Sequence, residues 1–149
     1  MEYFTPQRQQ LIVDAIRKAE LNTSGEIRVH VDRRCRGDVM RRAISVFKNL
    51  GMEKTQRRNG VLLYVAVDSH KTAVVGDEGV NAVVPPHFWN TVIDGVVGDF
   101  ANGMFAEGIC KAVAEVGRAL KQHFPYRTDD INELPDDISF GDDMGESGE

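Results

Sequence analysis

A chain of 149 residues, 42% hydrophobic and 28% charged, has room for one domain with a real core, and its composition is that of an ordinary soluble protein. It holds no run of about 18 apolar residues to span a membrane and no apolar signal region in MEYFTPQRQQ, so a cytoplasmic chain is expected. The net charge of −5 is unevenly placed: nine acids follow Arg127 with no Lys or Arg among them, which leaves 18 bases against 14 acids in residues 1–128.

Thr5-Pro6 opens a first helix, with Thr as N-cap and Pro at the first helical position, and Leu11/Ile12, Ala15/Ile16 and Ala19 carry its periodicity to about Leu21. Asn22-Thr23-Ser24-Gly25 breaks it. Glu26–Asp32 alternates strictly, with Ile27, Val29 and Val31 on one face, which predicts a half-buried strand. A basic loop, Arg33-Arg34-Cys35-Arg36-Gly37, leads to Asp38, the cap of a second helix with Met40, Ala43/Ile44, Phe47 and Leu50 as its apolar face and Gly51 at its end.

Glu53 to Arg58 is a polar connection. Val61–Val67 is an unbroken, β-branched apolar run, the mark of a strand covered on both faces. Asp68–Lys71 is a break of hairpin length, and Thr72–Val75 returns, closed by Gly76-Asp77-Glu78-Gly79. The pair is expected in the middle of the sheet. Pro85-Pro86 opens a third helix carrying Phe88/Trp89, Val92/Ile93, Val96/Val97 and Phe100. After Asn102-Gly103, a fourth turns Phe105, Ile109, Val113, Val116 and Leu120 inward until Pro125 stops it.

The order α-β-α-β-β-α-α predicts a three-layer α/β/α sandwich. Its mixed sheet has a right-handed β-α-β crossover followed by a β-hairpin, with helices on both faces. Residues 1–127 form the domain. Residues 128–149 are an acidic tail, partly or wholly disordered, whose Ile131, Leu134, Ile138 and Phe140 let part of it lie along the body as an extended arm. The two cysteines, Cys35 in the basic loop and Cys110 buried in a helix, lack CxxC spacing and read as reduced thiols.

This topology gathers three segments at one sheet edge: Ser24-Gly25-Glu26, Arg58-Asn59-Gly60 and Gly76-Asp77-Glu78-Gly79. Glu26, Asn59, Asp77 and Glu78 offer the oxygen ligands that Ca²⁺ or Mg²⁺ takes, and the glycines let backbone approach an ion or phosphate. The same acids can instead cap turns and pair with Arg57 or Arg58. The opposite edge holds Asp32, Asp68, Ser69 and His70, beyond the carboxyl ends of the parallel strands. His30, His87 and His123 read as solvated or locally bonded, and Ser24 has no evident base beside it. Arg33, Arg34, Arg36, Arg41 and Arg42 lack interleaved aromatics and adjoin an acidic tail, which argues against nucleic acid and for a solvated face or a surface on which the tail docks.

SGEIRVHV, RNGVLLYVAV, GDEGVN and NGMFAEGI together resemble the TPM domain family over roughly Thr5 to Phe124, in the form of its short cytoplasmic bacterial branch. That resemblance implies an α/β/α domain with an acidic crevice for divalent cations, and in some plant members acid phosphatase activity. Carried over, the motif positions are Ser24, Gly25 and Glu26, then Arg58, Asn59 and Gly60, then Gly76, Asp77 and Glu78. Two readings stand: a non-catalytic, partner-recognising module that binds Ca²⁺ or Mg²⁺, or a metal-assisted phosphatase for phosphate monoesters. An unidentified protein partner, no nucleic acid, no membrane insertion and a monomeric chain are expected.

Overall fold

The computed structural model describes residues 3–126 and 138–141. The rest of the acidic tail, and with it the expected docking of the tail on the Arg33–Arg42 patch, lies outside the described residues.

Thr5 caps α1 (Pro6–Glu20), its hydroxyl accepting from the Arg8 amide. α1 leads to β1 (Glu26–Asp32), α2 (Val39–Asn49) and a single 3₁₀ turn at Met52–Lys54. The hairpin follows as β2 (Gly60–Ala66) and β3 (Lys71–Gly76). A short α3 (Glu78–Asn81) precedes α4 (Phe88–Ala101) and α5 (Phe105–His123). The last described element, β4 (Ile138–Phe140), comes from the tail.

β1 and β2 are parallel over seven residue pairs, Glu26 facing Gly60 and Asp32 facing Ala66. β3 returns antiparallel, as a hairpin requires. The three-residue β4 adds to the other side of β1, parallel to it, so the order is β3-β2-β1-β4. The hairpin is therefore not central: among the described residues β3 is an edge, paired with β2 alone, and the tail strand adds to β1 instead. Such a strand is too short for any periodic signal to mark it.

The two faces divide as β-pleating dictates. Ile27, Val29, Val31, Val61, Leu63 and Val65 meet α1, α4 and α5 in one core. Leu62, Tyr64, Ala66 and Ala73 meet α2 in a second, smaller one. β2 is buried at every position, as its composition required.

β1 is buried throughout as well, and this overturns the half-buried reading. Its polar face, Arg28, His30 and Asp32, stands in register with Leu62, Tyr64 and Ala66 of β2, and each residue is less than a tenth exposed. α2 corrects another expectation. Its buried stripe is Ala43, Val46 and Phe47, while Met40 and Ile44 face water, because a lone helix covers only a narrow band of sheet. The thiols exchange roles too: Cys35 is buried in its loop and Cys110 is half-buried, its pKa raised by burial and then by Glu107.

Asp38 caps α2 with a 2.8 Å bond from the Arg41 amide. Asp38→Ala should cost about 1 kcal/mol, seen as a melting temperature lowered by about 3 °C in a thermal scan. Among the described residues no helix is long and apolar enough to cross a membrane.

Candidate functional site

The parallel pairing of β1 and β2 brings the three predicted segments to one rim. The Glu26 amide donates to the Asn59 carbonyl at 3.3 Å, the Asp77 amide to the Gly60 carbonyl at 2.9 Å and the Gly79 amide to the Arg58 carbonyl at 2.9 Å. The Asn59 side-chain amide reaches the Ser24 hydroxyl at 3.4 Å. Residues 24–26, 58–60 and 76–79 thus share one edge, as the crossover demanded.

The chemistry within that rim is more specific than a pool of acids. Asp77 is 6% exposed, and burial of a lone carboxylate is costly. Arg58 answers it with a bidentate fork: Nε donates to Oδ2 at 2.7 Å and Nη2 to Oδ1 at 2.8 Å. A third bond runs from Nη1 to Glu78 Oε1 at 3.3 Å. Asp77 Oδ1 also accepts from the Glu78 amide at 2.8 Å, which makes Asp77 the cap of α3. The bond to Asp77 raises the Arg58 pKa, with the charges of Asp77, Glu78 and Glu53 adding to it. Glu53 is thus a further acid facing this guanidinium. It sits in the polar connection before β2, where nothing in the sequence set it apart.

Two of the rim glycines serve packing rather than the approach of an ion. A Cβ at Gly79 would stand 2.3 Å from the Arg57 carbonyl oxygen and 2.7 Å from that of Arg58. One at Gly76 would stand 2.6 Å from the Trp89 ring. Glu26, only 2% exposed, lies beneath the rim, and Gly25 and Gly60 adjoin it in sequence and register.

The opposite edge holds a network that sequence reasoning missed. His30 Nε2 bonds Asp32 Oδ1 at 2.9 Å, and Nδ1 meets the Ser139 hydroxyl of β4 at 2.8 Å. Arg42 Nε donates to Asp32 Oδ2 at 2.9 Å and Nη2 to Oδ1 at 3.3 Å. The Tyr64 hydroxyl donates to Oδ2, and its ring stacks on His30 at 5.9 Å. Burial works to raise the Asp32 pKa, but the bonds from His30, Arg42 and Tyr64 and the His30 charge win and hold it well below the usual carboxylate range. Burial and the same carboxylate push the Tyr64 phenol up. The one sequence signal was the row of titratable residues Arg28, His30 and Asp32 at period two.

The remaining edge residues are engaged locally. Asp68 accepts from the Tyr3 hydroxyl at 3.0 Å, the Ser69 hydroxyl accepts from the Cys35 amide at 2.9 Å, and His70 is an exposed turn residue with φ 53°.

Among the described residues no three His, Cys, Asp or Glu side chains are grouped to hold a metal ion. Both Asp77 oxygens are taken by Arg58, so the rim's oxygen donors fit a hard cation only in exchange for that guanidinium.

A family model described as TPM domain matches residues 1–119. The NMR structure of the BA42 protein from the psychrophilic bacterium Bizionia argentinensis is similar with 46% identity and a TM-score of 0.86, over 93% of this chain and 95% of that one. The N-terminal domain of a P. gingivalis protein shares the fold at a TM-score of 0.67, with 18% identity over 83% of this chain and 82% of that one. No curated protein matches.

Proposed function

The chain belongs to the TPM domain family, and from that premise we propose that its rim is a non-catalytic recognition site where Ca²⁺ or Mg²⁺ exchanges with the Arg58 guanidinium at Asp77. The supporting observation is the buried Asp77 carboxylate held by a cation that itself reaches water. Asp77 must keep a positive neighbour, and Arg58, 40% exposed, is one that can leave.

With Arg58 turned out, Asp77 and Glu78 supply carboxylate oxygens, Asn59 and Ser24 neutral ones, and Glu53 a further charge. That donor set suits a hard cation, which takes six to eight oxygens. The released guanidinium then faces outward, suited to a carboxylate on a partner protein.

The phosphatase reading is the alternative: it needs Arg58 to steady a phosphate, and the bonds to Asp77 and Glu78 engage three of the five guanidinium N–H groups.

The test is a Ca²⁺ and Mg²⁺ titration followed by backbone amide shifts in wild type, Arg58→Met and Asp77→Asn. Removing the competing guanidinium should move the half-point to roughly tenfold lower ion concentration (about 1.4 kcal/mol). Asp77→Asn should abolish the response at Asn59 and 77–79. Silence of those amides in both wild type and Arg58→Met would sink the proposal. Faster hydrolysis of a chromogenic phosphate ester by wild type than by Asp77→Asn would favour the enzyme instead.

A further inference from the structure

α1 and α5 carry two stripes with one spacing. Ala15, Lys18, Ala19 and Asn22 follow one another at steps of three, one and three along α1 and the turn after it. Ala114, Gly117, Arg118 and Lys121 do the same along α5. Residues so spaced share one helix face. The core is filled from other positions, Ile12 and Ile16 on α1 and Val113, Val116 and Leu120 on α5.

The two helices approach so closely that a Cβ at Gly117 would stand 2.7 Å from that of Ala19. Beside that contact, side chains this small leave space between the helices unfilled. A cleft of about 410 Å³ remains between the stripes, of a size that holds a small ligand.

Its charge is one-sided. Among the described residues Lys18, Arg118 and Lys121 line it and no acid does. None of these three cations makes an ion pair with another described residue. The acids of α1 are engaged elsewhere: Asp14 accepts from the Gln10 amide group at 2.8 Å and Glu20 from the Ile27 backbone amide at 2.8 Å. Glu115, three positions before Arg118, is not part of the lining. In a chain of net charge −5, the cleft is thus opposite in sign to the molecule as a whole.

From this we infer that the cleft binds a small organic anion with an apolar body, an acyl or aryl carboxylate. The methyl groups of Ala15, Ala19 and Ala114 give the body an apolar floor that sheds water when covered. Arg118 offers a planar fork that matches a carboxylate, and the two lysines add point charges. Long basic side chains present an apolar stem and a charged head, so they meet both parts of such a ligand. An inorganic anion would find only the charge, and a neutral molecule only the floor. None of the lining residues belongs to the rim around Asp77, and the cleft needs no ion there.

The test is a titration of the full chain with octanoate and with benzoate, followed by backbone amide shifts. Saturable shifts are expected at residues 15–22 and 114–121, with 77–79 unmoved. Octanamide and sulfate should each bind about tenfold more weakly, one lacking the charge and the other the apolar body. Lys18→Gln and Arg118→Gln should each weaken octanoate about threefold. Ala114 is exposed on its helix, so Ala114→Leu keeps the fold while filling the cleft, and it should abolish the shifts.

No saturation by either carboxylate below about 10 mM overturns the inference. So does binding of octanamide or sulfate that equals octanoate, or binding that Ala114→Leu leaves unchanged. The peptide DDINELPDD, copied from residues 129–137, is the remaining arm. If it displaces octanoate at lower concentration than benzoate does, the cleft belongs to the chain's own acidic segment, and the small-molecule assignment falls.

Discussion

Replacing Asp32 with alanine should destabilise the domain by about 3 kcal/mol, measured as a shifted midpoint in denaturant. The carboxylate is the common acceptor for His30, Arg42 and Tyr64, which come from β1, α2 and β2. Removing it strands a fully buried phenol and a nearly buried imidazole without their partner. Arg42 softens the loss, since its side chain is 39% exposed and can turn to water. That is why the low end of the range for a broken buried pair applies.

The same carboxylate gives the fold a pH signature. Its pKa is depressed in the folded state, so its contribution is fully present above the unfolded value of about 3.9 and is lost as pH falls toward the folded one. The stability gap between wild type and Asp32→Asn should hold constant from pH 7 to about 5 and close progressively below about 4. A gap that widened on acidification would contradict the assignment.

Gly79→Ala is the second large effect, and it acts by sterics alone. Gly79 lies within α3, where alanine suits the backbone, but its Cβ would meet the carbonyl oxygens of Arg57 and Arg58. Neither oxygen belongs to a flexible side chain, so the loop before β2 must move. A cost of about 3 kcal/mol is expected, lowering the melting temperature by about 9 °C. Because that loop carries Arg58, the Arg58–Asp77 fork should loosen with it. Gly95 and Gly98 on α4 are the controls: a Cβ there meets nothing within 4 Å, so alanine should be neutral or stabilising by up to about 1 kcal/mol. A Gly79→Ala protein as stable as these would show that the loop yields easily.

How much of this the sequence displayed depends on whether a signal is local or pairwise. The buried run of β2, the hairpin, the capped helices and the parallel crossover are local patterns, and they led to the rim from residue spacing alone. The polar face of β1 is different. Glu26, Arg28, His30 and Asp32 alternate with Ile27, Val29 and Val31 as they would in a strand half in water. The burial of His30 and Asp32 depends on Arg42, Tyr64 and Ser139, which lie 10, 32 and 109 positions from the residues they bond. No window of sequence contains those partners together.

At the rim the positions were legible but not their pairing. Asp77 looked like a ligand, and the Arg58 fork that satisfies it became visible only with the geometry of both loops. Glu53 had no motif to announce it. β4, three residues inside an acidic tail, carries too little pattern to separate a strand from an extended arm.

Phe4 and Phe140 touch, so the first and last parts of the described chain end side by side. Covalent order along the backbone is therefore not what this architecture depends on. A short linker across that junction, with new ends opened at Gly37 or Gly103, where a Cβ meets nothing within 4 Å, preserves every strand pairing. Such a permuted molecule would hold β4 by covalent chain at both of its ends.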